Sequence, residues 1–160
     1  MRDHYEAFTE LAAHGTAKML FAKIEDMCRD LVGVKLFTAM SSDLEKCVAK
    51  RIYTNDPVAY PVFGEKPIET NRWSEQVLDR RETFFAETVE ELRDVFPDHE
   101  KIESLGVGAT INIPIIFNAR VLGTLNLLDV DGRYSAASVD ALTPVRLPSI
   151  IAFLAAQNET

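Results

Sequence analysis

Gly106-Val107-Gly108-Ala109-Thr110-Ile111-Asn112-Ile113-Pro114-Ile115-Ile116-Phe117, then Asn118-Ala119-Arg120, then Val121-Leu122-Gly123-Thr124-Leu125-Asn126-Leu127-Leu128, is the stretch that decides the fold. Two mostly apolar runs flank a short polar connection, which is the pattern of a β-hairpin. A three-residue turn pairs Phe117 with Val121 and sets Asn112 opposite Asn126. Thr110, Pro114 and Thr124 share the face of the two asparagines, while Ile111, Ile113, Leu125 and Leu127 make the other face uniformly apolar. The apolar face suits dry packing against helices. The mixed face does not.

Upstream, residues 3–31 read as helix. Leu20, Ile24, Met27 and Leu31 form one stripe, Tyr5, Phe8 and Ala12 an earlier one, and Gly15 marks a bend or break between them. Gly33 closes the helix. Residues 34–40 and 47–53 read as a second hairpin, with Ser41-Ser42-Asp43 as its turn. Residues 54–67 carry three prolines and a glycine and read as an ordered loop. Thr70 or Asn71 caps a helix to about Arg80, residues 82–86 form a short strand, and residues 88–95 and 97–105 form two short helices. Downstream, Ser135 caps a helix through Leu142, and Thr143-Pro144 starts another whose apolar line is Leu147, Ile151 and Leu154, with a kink expected at Pro148. The order predicts an α+β fold: a central antiparallel sheet with the N- and C-terminal helices on one face and a lid of loops and short helices on the other.

With 160 residues, 47% of them hydrophobic and 26% charged, the chain reads as a single domain, 1–160, with its own core. No internal repeat or linker divides it. The net charge of −8, from 25 acidic and 17 basic residues, argues against nucleic-acid and membrane-surface partners. No signal peptide and no continuous apolar run of about 20 residues is present, which gives the cytoplasm as the expected compartment, with Cys28 and Cys47 as reduced thiols.

The element order, the Gly106-to-Ile115 run and the Gly123-Thr124-Leu125 strand resemble the GAF domain. The likeness covers roughly residues 15–157, and a PAS-like sensor shares the element order. The resemblance implies a ligand pocket under the middle segment and a homodimer formed through the terminal helices. Members of that family bind cyclic nucleotides, bilins, haem or amino-acid-like molecules, so the resemblance leaves any cofactor unidentified. The chain lacks a convincing set of cyclic-nucleotide-binding residues, and residues 48–160 contain no cysteine to hold a bilin covalently. The middle-segment cysteines of the free methionine sulfoxide reductases are missing as well. With no effector domain in the sequence, a separate effector protein is the expected recipient of any signal.

The pocket is expected between the face bearing Asn112, Thr124 and Asn126 and a lid with Tyr53, Tyr60, Phe63, Trp73 and Phe84. Lys66 and Arg72 are candidate anion contacts. For the asparagines the alternative is tying down loop backbone, for the aromatics an irregular core, for the cations solvated surface. His4, His14 and His99 lack partners at metal-ligand spacing, and no catalytic motif appears. The reading is a small-molecule-binding sensor domain. The alternatives are a small enzyme using the same pocket and a scaffold that binds nothing. Strongly shifted side-chain pKa values would favour the enzyme.

Overall fold

In the computed structural model, which describes residues 1–159, the 109–128 hairpin lies within a six-stranded antiparallel sheet. Strands β1 (Leu36–Asp43), β2 (Val48–Thr54), β3 (Lys66–Pro67), β4 (Phe84–Ala86), β5 (Ala109–Phe117) and β6 (Arg120–Asp129) lie in the order β3-β2-β1-β6-β5-β4. Helices α1 (Arg2–His14), α2 (Ala17–Leu31), α3 (Arg72–Ser74), α4 (His99–Ser104), α5 (Ala136–Ala141) and α6 (Arg146–Asn158) complete the chain. The α+β architecture read from the sequence is present.

The final hairpin turns more tightly than its sequence predicts. Asn118 and Ala119 alone make the turn, at φ 52° and 60°, so Phe117 pairs with Arg120 and Ile116 with Val121. Both central residues at positive φ suit the right-handed twist of the strands. A β-bulge at Leu122 then shifts the register by one residue, so Ile115 pairs with Gly123 and Asn112 with Asn126. The two asparagines therefore face each other as expected, but through a two-residue turn plus a bulge. Alanine pays about 1 kcal/mol in the left-handed region. Ala119→Gly should therefore stabilise the protein by about 0.5 kcal/mol in chemical denaturation, because greater freedom in the unfolded chain offsets part of the strain relieved. No change, or a loss, would show that the turn is not in this conformation.

The first hairpin differs in the other direction. β1 runs through Ser41-Ser42-Asp43, and the turn falls on residues 44–47 with Cys47 at φ 54°. Asp43 still shapes it, since its side chain accepts from the Lys46 amide at 3.1 Å. The expected loop 54–67 contributes the two-residue edge strand β3, paired with β2.

The uniformly apolar sheet face packs under α2 and α6. Ile111, Ile113, Leu125 and Leu127 meet Phe21, Ile24 and Met27 of α2 and Phe153 of α6 in one buried cluster. Each such side chain contributes about 1.5–3 kcal/mol by leaving water. Gly15 breaks the long N-terminal helix: it is extended (φ −89°, ψ 173°), and Thr16 caps α2 by accepting from the Met19 amide. Phe8 of the earlier stripe is buried in the same cluster. Pro148 sits in the first turn of α6, where its missing amide matters least. The carbonyl that this amide would have bonded, Pro144 O, accepts from the Tyr5 hydroxyl at 2.6 Å. The irregularity falls earlier, where a 3-10 turn (Thr143–Val145) passes into α6.

The opposite face is covered by the middle segment. Val77, Leu78, Leu92, Val95 and Ile102 form a second buried cluster with Leu36 and Leu128 of the sheet. The expected helix up to Arg80 is one turn of α3 followed by a π-helical turn, Glu75–Asp79. Residues 88–95 form only a 3-10 turn, Val89–Leu92.

Candidate functional site

Between the mixed sheet face and the middle segment lies a cavity of about 620 Å³. Its floor is laid by alternate residues of three neighbouring strands: Thr38 and Met40 of β1, Thr124 and Asn126 of β6, and Asn112 of β5. Trp73 forms part of the roof.

Asn71 positions Trp73. Its side chain accepts from the backbone amides of Trp73 (2.9 Å) and Ser74 (3.0 Å), and the Ser74 hydroxyl accepts from the Asn71 amide in return. The chain then leaves through the π-turn, a geometry common at functional sites. From Trp73 a polar ladder crosses the floor. The indole Nε1–H donates to Asn112 Oδ1 at 2.9 Å, Asn112 Nδ2 donates to Asn126 Oδ1 at 2.9 Å, and Asn126 Nδ2 donates to Thr38 Oγ1 at 3.1 Å. Each buried amide is thereby oriented, and each keeps a second N–H and a second lone pair. The asparagines tie strands and roof together rather than loop backbone.

Of the residues expected at the site, Tyr60, Phe63, Lys66, Trp73, Asn112, Thr124 and Asn126 line the cavity. Three do not. Tyr53 points to the helix side of the sheet, because a β-bulge at Ile52 reverses the alternation of β2: Met40 pairs with Arg51 but Ala39 pairs with Tyr53. There Tyr53 packs against Phe21 and Phe37, and its hydroxyl donates to Glu25 Oε2 at 2.7 Å. Phe84 is buried between the lid and β5, in contact with Phe96 and under the Arg72 guanidinium, so it fills the lid's own core. Arg72 is engaged elsewhere: Nε and Nη2 donate to the two Asp94 carboxylate oxygens at 2.6 and 2.8 Å, and Nη2 also reaches the Glu91 carbonyl. That pairing holds the Asp94 carboxyl below the usual carboxylate range.

The lining also holds Arg51 and Lys101, which the sequence does not single out, and Asp98, which it reads only as first-turn charge on a helix. Their signal was hidden. Arg51 reads as the solvent side of a hairpin strand, and Asp98 and Lys101 as a solvated helix face. The Tyr60 hydroxyl donates to Asp98 Oδ2 at 2.5 Å. Burial and that carboxylate push the phenol's pKa up, so Tyr60 stays a neutral donor. The cysteines lie off the cavity. Cys28 is buried in the helix layer, where burial first and Glu25 second push its thiol up, and Cys47 sits exposed in the first hairpin turn. Among the described residues no group of three or more His, Cys, Asp or Glu side chains is placed to hold a metal.

No family model matches the chain, and no curated protein does. Solved structures do resemble it. The GAF domain/HD domain protein from Geobacter sulfurreducens aligns with a TM-score of 0.70 at 9% identity, over 88% of this chain and 94% of that one. The GAF domain of a two-component sensor histidine kinase from Bacillus halodurans gives 0.68 at 17%, over 88% and 95%. The GAF domain of a phosphoenolpyruvate-protein phosphotransferase from Acinetobacter gives 0.68 at 14%, over 98% and 93%. At such identities the likeness is one of fold.

Proposed function

From the premise that this chain has the GAF-domain fold, we propose that it is a sensor domain whose cavity binds a small, partly apolar molecule. The observation that carries the reading is the polar ladder: two buried amides with unused hydrogen-bonding capacity, aligned along the floor of a large cavity and bonded to an aromatic roof. Burying amides costs a few kcal/mol unless they are bonded, and a core that needed only packing would place apolar side chains there. The cavity volume falls within the usual range for small-molecule sites. Fold neighbours come from a sensor histidine kinase and a cyanobacteriochrome receptor, in keeping with a sensing role. Native mass spectrometry of protein purified without denaturation should show a mass above the polypeptide that disappears on unfolding. Thr124→Phe, which fills the floor, should lose it. The bare polypeptide mass for both proteins would contradict the reading.

We further propose that two copies pair through the outward face of α6. Leu147 is 63% and Ile151 39% exposed one helical turn apart. Light scattering at tens of micromolar should report a dimer that Leu147→Glu converts to a monomer. A monomeric wild type would overturn the pairing.

A further inference from the structure

The wall of the cavity is a stack in which cations and aromatic rings alternate. Lys66 Nζ lies 4.4 Å from the Phe63 ring centre, Arg51 Cζ lies 4.7 Å from Phe63 and 4.9 Å from Tyr60, and Lys101 Nζ lies 4.4 Å from Tyr60. All five residues line the cavity. None of the three cations is within salt-bridge distance of a carboxylate among the described residues, although six other arginines of the chain are. Arg51 is the most constrained. It is half-buried, its Nη1 donates to the Pro61 carbonyl at 3.0 Å, and its buried Nε–H has no partner. Burial first of all pulls the guanidinium's pKa down, while Tyr60 and Asp98 act in the opposite direction. A half-buried guanidinium without a carboxylate is costly, and ring faces compensate only part of the lost hydration. Two carboxylates, Asp98 and Glu69, also line the cavity, and Asp98 is bonded to the Tyr60 hydroxyl. The wall therefore carries three positive charges against two negative ones in a chain of net charge −8.

We infer that the cavity selects small organic anions: an oxyanion head, carboxylate or phosphate, seats against Arg51 with Lys66 and Lys101 beside it, and an unsaturated apolar body lies over the asparagine floor under Trp73. The inference rests on the proposed ligand-binding role of the same cavity. Steering follows from the same arrangement, since a local cationic wall on an acidic protein focuses anions toward the opening.

Trp73 is the chain's single tryptophan, so its indole N–H gives one identifiable NMR signal that reports on the cavity. Two probes share one ring system and differ in charge: 2-naphthoate and its neutral amide, 2-naphthamide. Naphthoate should shift the indole signal and bind at least about tenfold more tightly than the amide, as a charge-assisted bond to a half-buried guanidinium implies. Arg51→Gln should bring the two affinities together by weakening naphthoate. Arg72→Gln, which removes a cation outside the cavity, should leave the preference intact. Equal binding of the two probes to the wild type would overturn the anion preference and leave the ligand-binding reading standing. A preference for naphthoate that survives Arg51→Gln would overturn the assignment to this wall. An indole signal that responds to neither probe would count against both.

Discussion

Gly123→Ala should destabilise the protein by at least about 3 kcal/mol, which lowers the melting temperature by about 10 °C for a chain of this size. Gly123 pairs with Ser41 on one side and Ile115 on the other, inside the sheet. A Cβ at this position would lie 2.1 Å from the Met40 carbonyl oxygen and 2.6 Å from the Phe153 ring. The carbonyl belongs to the adjacent strand, so it can yield only if the β1–β6 pairing opens. Phe153 is held between the sheet and Phe21, its ring edge-on to Phe21 at 5.1 Å. The close seating of α6 on the sheet thus depends on a missing side chain. Gly64→Ala is the control: nothing lies within 4 Å of its added Cβ, and stability should change by less than about 0.5 kcal/mol. Thermal unfolding of both variants against the wild type measures the difference. Equal stability of Gly123→Ala would show that α6 does not sit this close.

Glu25→Ala should cost about 3 kcal/mol in chemical denaturation. Glu25 is buried between α2 and the first hairpin. Its two oxygens accept from the Tyr53 hydroxyl at 2.7 Å, from Asn55 Nδ2 at 2.9 Å and from the half-exposed Arg29 at 2.6 Å. Asn55 in turn accepts from the Phe37 amide and donates to the Lys35 carbonyl, so the carboxylate organises the whole entry to β1 and the exit from β2. Removing it leaves the buried Tyr53 phenol without its acceptor and takes one of the two that the Asn55 amide has. Tyr53→Phe, which removes a single donor, should cost about 1 kcal/mol. The combined variant should cost less than the sum, because both changes cut the same bond. Additive losses would show that Tyr53 and Glu25 are not coupled.

Glu25 and Tyr53 also mark where sequence reasoning reached its limit. Strict alternation along β2 carries Tyr53 to the same face as Arg51, and a bulge at Ile52 reverses it. No residue type in Arg51-Ile52-Tyr53 signals a bulge, because the extra residue is accommodated by packing against the finished sheet. The β5–β6 hairpin was more legible, since uniform apolarity on one face and polar residues on the other fixed its orientation regardless of the turn. That parity puts Asn112, Thr124 and Asn126 on the mixed face, and the resemblance implies the pocket above it. Arg72 and Phe84 lie beside cavity residues without lining the cavity. Asp94 draws the first away, and the lid's core absorbs the second. Isolated cations in a polar stretch look like solvated surface, and only the fold sets Arg51 between the Phe63 and Tyr60 rings and Lys101 against Tyr60.

The location of the site is tested most directly by the amide correlation spectrum of isotope-labelled protein, recorded with and without a size-filtered extract of small metabolites. The Trp73 indole signal and the side-chain amide signals of Asn112 and Asn126 should shift together, while backbone signals of α2 and α6 on the other sheet face stay in place. Shifts confined to the α2–α6 layer, or a Trp73 signal that no extract moves, would contradict a binding site on this face of the sheet.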